Sequence, residues 1–376
     1  MKKIVIIGAG TGGTTIANKL AKKVKGKAEV TIIDPTFKHV YQPAVLFTMF
    51  RNESTKDMVK DGTKSIPKSV NIVKDFVTKV DTDKKVVETK EKGNFDYDYL
   101  VLATGARYAY ETAEWWDDSI YEFYTPKGSE KVADALEKFE GGTIVVSIAD
   151  IPYKCPPAPV EAAMLLDSYF KKRKMRDKVK IIYTSPLMRA FSIETTNTRV
   201  EQYLKEKDIE TKILFNVDDV DTEEKIIYSM EDDDVEYDLA IFVPPHRGQQ
   251  FLIDSGISEG QGWIPTDKVT LKVKDQENMW ALGDATDIPT SKAGSTAHHQ
   301  APVIAKNIAA LIDGNEPTAE YDGHVQCFFL TEFGRSMFID FDYSRLPKPS
   351  PTRRIWYYFK KIFKPVYYVG VIKGRV

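Results

Sequence analysis

The chain has 376 residues, of which 42% are hydrophobic and 29% charged, with a formal net charge of −2. That is enough for two or three domains with ordinary cores, and it excludes a disordered or fibrous protein. Two cysteines exclude a multi-disulfide secreted scaffold, and no apolar run of about 18 residues is present to span a bilayer.

Residues Lys3 to Gly13 read KIVIIGAGTGG, an apolar run that breaks into Gly8, Gly10 and Gly13. The pattern predicts a strand Ile4–Ile7, a glycine turn, a helix through about Val24 and a second strand Glu29–Ile33 that closes on Asp34. Glycines at this spacing let a pyrophosphate approach the helix amino terminus, where unpaired N–H groups and the helix dipole favour anions. Asp34 lies 21 residues beyond Gly13, where a carboxylate accepts hydrogen bonds from an adenosine ribose. Because the run IVIIGAG flows straight into this turn, no signal peptide is expected. From Asn71 to Gly105 the pattern changes to short β-branched strands, with a hairpin over Val77–Val87 and a buried strand ended by Thr104 and Gly105 in LVLATGAR.

The same pattern then returns 140 positions later. TIVVSIAD from Thr143 repeats the first strand, VDTEEKIIY from Val220 repeats VDTDKKVVE from Val80, and YDLAIFVPP from Tyr237 repeats YDYLVLATG from Tyr97. An internal duplication follows, but only the first copy can hold a dinucleotide. In the second, Gly8, Gly10 and Gly13 become Ile148, Asp150 and Tyr153, whose side chains block a pyrophosphate. Its second strand, KVKIIYTS, ends in Tyr183 and Thr184 where an acid is wanted. The first fold resumes with WALGDATDIPTSKAG from Trp280 and a helix over Ala297–Ile312. Glu231–Asp234 reads as a solvated hairpin turn and Lys171–Lys174 as a solvated helix end.

The segment RRIWYYFKKIFK from Arg353 places Ile355, Phe359, Ile362 and Phe363 on one helical face and Arg353, Tyr357, Lys360, Lys361 and Lys364 on the other. Pro365 is expected to stop it. No acidic residue follows Asp342, against nine Lys and Arg, so this end is a basic patch on an otherwise acidic chain and suits an anionic bilayer surface. The competing expectation is a helix packed on the body or on a second subunit. The fold expected is α/β, with tandem Rossmann-like domains and a C-terminal amphipathic membrane-binding segment. The first domain comprises 1–110 and 267–325, the second 111–266 without a usable NAD site, and 326–376 forms a C-terminal redox, quinone and anchoring region.

GAGTGG, YQPAVLF at Tyr41, LVLATGA at Leu100, KCPPAPVEAA at Lys154, VPPHRG at Val243, ALGDAT at Ala281 and YDGHVQCFF at Tyr321 together resemble the sulfide:quinone oxidoreductase family of two-dinucleotide-binding-domain flavoproteins. The two cysteine-bearing motifs in this order make that narrower resemblance, which covers nearly the whole chain. It implies FAD as cofactor, held by Gly8, Gly10, Gly13, Asp34, Thr104 and Gly105. It places Asp284 on the ribityl chain, and Pro43 and Lys292 near the isoalloxazine ring. It also implies that Cys155 and Cys327 form a redox-active disulfide which hydrosulfide opens by thiol exchange, followed by a flavin C4a adduct, quinone reduction and release of polysulfide or sulfur. Cys327 is taken as the flavin-attacking sulfur, with the order of the pair open, and Glu161 as an acid that accepts the proton.

Cys155 directly precedes a predicted helix and follows Lys154, both of which favour a thiolate. Buried inert thiols and a first-turn helix glutamate are the plainer readings of these three residues. Many relatives carry a third cysteine between the ATG motif and the second fold; here that region reads WWDDSIYEFYTPKGSE, so no cysteine thioether to the flavin can form there. Phe328, Phe363 and Tyr367 are candidates to sandwich the quinone. His39, His246, His298, His299 and His324 lack metal spacing, and no metal is assigned.

The partners expected are hydrogen sulfide, a membrane quinone and an anionic lipid surface, with no nucleic acid and with homo-oligomerisation open. The expected location is peripheral, on the cytoplasmic face of the cell membrane. The alternatives are a flavocytochrome-c-type sulfide dehydrogenase, an NADH:quinone oxidoreductase, which would need the glycines that the second copy has lost, and a non-catalytic flavin-binding protein.

Overall fold

Short β-branched runs followed by helices on both faces dictate parallel sheets, and a computed structural model, which describes all 376 residues, contains two of them. In the first, Lys2–Ile7 is central, flanked by Ala28–Ile33 and Tyr99–Leu102, with Val70–Val73 and Met279–Ala281 at the edges. In the second, Gly142–Ile148 lies between Val179–Ser185 and Leu239–Val243, with Ile209–Ile213 and Tyr121–Glu122 outside. The central strands are buried on both faces, which explains their continuous apolar sequence. Leu252, Ile257 and Ile264, which precede the expected return of the first domain at 267, already pack into the core beneath the first sheet.

The duplication extends to irregularities. The hairpin Val77–Asp81 with Val86–Thr89 has its register shift between Val77 and Lys79, and Val217–Asp221 with Ile226–Ser229 has it between Val217 and Asp219. A bulge kept at the 140-residue offset is a local backbone feature inherited whole. The two copies also touch through a short antiparallel ribbon, in which Arg107 faces Arg247 and Tyr108 faces His246. Arg107 and Arg247 are themselves 140 positions apart, so equivalent residues of the two copies meet across the ribbon.

The two copies differ most at the first strand-to-helix turn. In the first, the Thr11–Lys23 helix starts four residues after the strand ends. In the second, the strand ends at Ile148 and the helix starts only at Ala158. The lengthened turn carries Cys155. At the carboxyl end, the hairpin of Val325–Glu332 and Arg335–Phe341 receives the Arg354–Val366 helix. Pro365 does not stop that helix. The chain continues through Tyr367–Val371 as a wider helical turn, which tolerates a residue that has no N–H to donate. No helix is long and apolar enough to cross a membrane.

The C-terminal helix keeps the two expected faces, but it packs on the body through the basic one. Tyr357 and Lys360 are buried, whereas Ile355, Tyr358, Phe359, Ile362, Phe363, Val366 and Val369 are exposed. The cause is two acids distant in sequence: Lys360 Nζ lies 2.6 Å from Glu161, and Lys364 Nζ 3.0 Å from Glu53. These ion pairs hold the basic face against the body and leave an apolar stripe at helical spacing facing outward. Of the basic residues on the second face, only Arg353 and Lys361 stay exposed, joined by Arg354.

Candidate active site

The glycine turn has the shape a dinucleotide requires. Gly8 has φ +99, and a Cβ there would collide with the Ala103 carbonyl; one at Gly13 would collide with the Gly8 carbonyl. A Cβ at Gly10 would meet nothing. The first and third glycines therefore close the turn and seat the helix, and the second leaves room for a ligand. The Thr11–Lys23 helix has neither a side-chain cap nor an acid in its first turn, so its orphan N–H groups remain available to an anion.

Asp34 accepts from Ala9 N at 2.9 Å and Phe37 N at 2.7 Å, which ties the turn to the second strand and leaves lone pairs for a ribose. Gly105, with φ +62, is equally open, and the buried Thr104 Oγ1 has no partner. These features fit FAD. Asp284 occupies a one-turn helix at Gly283–Ala285, and burial raises its carboxyl against the pull of Lys154 and Lys292. Pro43 opens another such turn and is exposed.

Lys292 is buried. Its ammonium donates to the Asp284 carbonyl at 2.9 Å and the Thr286 carbonyl at 2.7 Å and lies 3.8 Å from the Trp263 ring centroid. Burial brings it down to about 8 despite the opposing charge of Asp284. Its backbone carbonyl accepts from Cys155 N at 2.7 Å, so the lengthened turn of the second copy is pinned directly to the first.

Cys155 and Cys327 are free thiols, each half-buried. The Ala158–Lys172 helix packs on the Val325–Glu332 strand, and Glu161 sits between them, fully buried, accepting from Leu330 N at 2.5 Å. Lys360 donates to Glu161 at 2.6 Å and to the Phe328 carbonyl, next to Cys327, at 2.9 Å. Glu161 Oε2 is buried without a partner. The acid is therefore no exposed first-turn glutamate.

The expectation of an acidic Cys155 is overturned. Burial, then the neighbouring charge of Cys327, drives its thiol far above the ordinary range, and burial pushes Cys327 up to about 12. Desolvation outweighs the helix terminus, and Lys154 directs its ammonium to the Tyr108 hydroxyl at 3.0 Å. Lys360 is the cation that opposes this shift at both sulfurs.

The three quinone candidates are not brought together. Phe328 belongs to a cluster with Phe338, Phe359 and Trp356. Tyr367 packs on Tyr41 at 5.0 Å between ring centroids and hydrogen-bonds His39 Nε2 at 2.5 Å and Thr11 Oγ1 at 2.6 Å. Phe363 lies at the edge of the exposed stripe, 36% exposed. Nothing in the sequence marks Lys360, Trp356 and Phe359 as site residues, because an amphipathic pattern does not say which face docks.

Residues 2–114 match the family described as pyridine nucleotide-disulphide oxidoreductase, and residues 130–244 match the central part of the sulfide dehydrogenase [flavocytochrome c] flavoprotein chain. The mitochondrial sulfide:quinone oxidoreductase of Dictyostelium discoideum is 28% identical, over 99% of this chain and 86% of that protein. That of Mus musculus is 26% identical, over 92% of this chain and 79% of the other. The X-ray structure of the sulfide:quinone oxidoreductase from Aquifex aeolicus superposes with a TM-score of 0.87 at 20% identity, covering all of this chain and 92% of its own. Members of this family are FAD-binding flavoproteins, and the open glycine turn described above fits that cofactor. These matches, which together run the length of the molecule, make the chain similar throughout to the sulfide:quinone oxidoreductases of the pyridine nucleotide-disulphide oxidoreductase type.

Proposed function

We propose that the protein oxidises sulfide to polysulfide or sulfur and passes the electrons to a membrane quinone. The observation that carries this reading is the fate of the second copy's turn: where a nicotinamide cradle belongs, the chain instead holds Cys155, joined by backbone to Lys292 and facing the Glu161–Lys360 pair that borders Cys327. Asp150, at the position of Gly10, is paired with Arg247 at 2.7 Å, and Tyr153 is buried within the turn.

In the oxidised enzyme the two sulfurs are joined. Hydrosulfide attacks Cys155 Sγ, the S–S bond breaks, and the electron pair leaves on Cys327 as a thiolate. The buried Lys360 ammonium offsets that charge, and Glu161, through its unpaired Oε2, takes the proton of the new Cys155 persulfide. Bound FAD supplies a two-electron acceptor that can be reoxidised by quinone. In this reading Gly8, Gly10, Gly13, Asp34, Thr104, Gly105 and Asp284 hold FAD, Lys292 and Pro43 border its ring, and residues 1–110 with 267–325, 111–266 and 326–376 divide the work between cofactor, cysteine turn and acceptor. Phe328 and its aromatic neighbours on the C-terminal helix are the better-supported quinone platform.

Anaerobic addition of sulfide to the FAD-loaded protein should bleach the flavin, whereas NADH should act slowly or not at all. Rapid bleaching by NADH together with inertness to sulfide would overturn the reading. The match to the flavocytochrome chain favours a second one, in which electrons pass to a cytochrome; turnover with a cytochrome c and none with quinone would select it.

The outward stripe from Ile355 to Val369 supports peripheral attachment to a bilayer, proposed on the cytoplasmic face, with Arg353, Arg354 and Lys361 adding attraction to anionic lipid. Replacing Ile355, Ile362, Val366 and Val369 together by serine should weaken vesicle binding at least ~100-fold, since each buried aliphatic side chain contributes roughly 1.5–3 kcal/mol. Sulfide should still reduce the flavin of this variant in solution. Salt should remove only part of the wild-type binding, because the apolar contribution is not screened. Unchanged flotation of the variant with vesicles would reject the stripe as the anchor.

A further inference from the structure

The ribbon that joins the two copies carries chemistry that neither the FAD turn nor the cysteine pair uses. Tyr108 and His246 are direct cross-strand partners on it. The His246 ring stands edge-on to Tyr108 at 5.1 Å and to Tyr124 at 5.3 Å between centroids, and is completely buried. Its Nδ1 lies 2.7 Å from the Pro244 carbonyl. A carbonyl only accepts, so Nδ1 carries the proton and Nε2 presents a lone pair. That Nε2 has no partner, and a buried acceptor left unmet is destabilising unless something meets it.

Lys154, the residue before Cys155, reaches the same tyrosine. Its ammonium lies 4.4 Å from the Tyr108 ring centroid and 3.0 Å from the Tyr108 hydroxyl. Tyr108 in turn donates to the Tyr124 carbonyl at 2.8 Å, and Tyr124 donates to the Lys154 carbonyl at 3.0 Å. Lys154, Tyr108 and Tyr124 thus form one ring of hydrogen bonds through side chains and main-chain carbonyls, with the unfilled neutral acceptor of His246 edge-on to both tyrosines and Cys155 the next residue along the chain. Burial, then the Lys154 charge, holds His246 down at about 3, so the imidazole stays neutral at any working pH. For Lys154, burial opposes the charge but the nearby Tyr108 and Asp284 outweigh it and leave it raised.

A small anion that also carries one hydrogen-bond donor matches this frame: the cation takes the charge and the lone pair takes the hydrogen. Hydrosulfide is such an ion. We propose that Lys154 and His246 form the receiving site for hydrosulfide, its sulfur against the Lys154 ammonium and its S–H donated to His246 Nε2, from which it attacks Cys155. The proposal rests on the sulfide-oxidising reading and assigns the entry point of its substrate. The bond that forms is S–S to Cys155 Sγ, the bond that breaks is Cys155–Cys327, and the leaving electron pair stays on Cys327; Lys154 and His246 exchange no proton in the step.

The test is anaerobic stopped-flow reduction of the FAD-loaded enzyme by sodium sulfide in Lys154→Met, Lys154→Arg, His246→Leu and His246→Gln. Loss of a hydrogen bond to a charged group predicts a fall of roughly tenfold to hundredfold in the second-order rate constant with sulfide for Lys154→Met and His246→Leu. The limiting rate at saturating sulfide should change far less, because the lost contacts serve binding. Lys154→Arg keeps the charge and His246→Gln can offer an amide oxygen, so both should recover much of the loss. FAD content and reoxidation of the dithionite-reduced enzyme by quinone should match wild type.

Normal sulfide kinetics in Lys154→Met and in whichever His246 variant folds would overturn the site. So would loss of FAD from His246→Leu with normal sulfide kinetics in the remainder, which would assign Nε2 to the cofactor. A wild-type enzyme that sulfide does not reduce would instead reject the proposed function.

Discussion

Cys155→Ser and Cys327→Ser should each retain FAD and each lose sulfide-driven quinone reduction by about three orders of magnitude or more, and the double variant should be little worse than either single. Residues that act as one unit give non-additive losses, because either substitution alone removes the proposed disulfide. Both thiols are held in their protonated range by burial, so neither is a competent free thiolate without its partner and the Lys360 charge. Steady-state turnover with sulfide and a soluble quinone measures this, with flavin absorbance as the control for cofactor. A single variant with near-normal turnover would show that sulfide is not taken up by the pair.

The largest stability effect should come from Lys360→Met. The variant leaves Glu161 buried and unpaired, and breaking a buried ion pair from one side costs about 3–5 kcal/mol. Glu161→Leu combined with Lys360→Met should recover most of that loss, since an apolar pair of similar volume has no charge to desolvate. Urea midpoints of the FAD-loaded proteins give the cycle. A Lys360→Met protein with the wild-type midpoint would mean that the pair does not hold the C-terminal helix.

The pH dependence follows from the direction of the shift. Burial opposes the Lys360 charge, but Glu161 and Cys327 outweigh it and raise the group above its ordinary 10.5. Its stabilisation is therefore complete below 10.5 and is lost as pH rises through the higher folded value. Wild type and Lys360→Met should converge in stability only in strongly alkaline solution.

What could be read from the sequence was local or repeated. The glycine turn, Asp34 and the hairpins follow from spacing and β-branched runs, and the 140-residue offset revealed the second copy because inherited strands keep their register. The C-terminal helix could not be oriented, because the side that docks is set by Glu53 and Glu161, acids with no sequence relation to it. The state of Cys155 was misjudged for a similar reason: a helix terminus is visible in a sequence, but the protein that encloses the sulfur is not. The pairing of Tyr108 with His246 is not legible in the sequence because it joins the two copies. The offset that equates Arg107 with Arg247 was the available clue.

The inward ion pairs of the C-terminal helix also bear on what attachment costs. A segment that folds only on reaching a surface must surrender its backbone freedom there, roughly 1–2 kcal/mol for each residue ordered. Here the helix is already formed and already clamped, its stripe displayed on a rigid body. The conformational entropy has been lost during folding, so none of the apolar transfer energy is offset by ordering the helix at the surface. The same arrangement places Lys360, and with it the charge beside both sulfurs, on the element proposed to meet the bilayer.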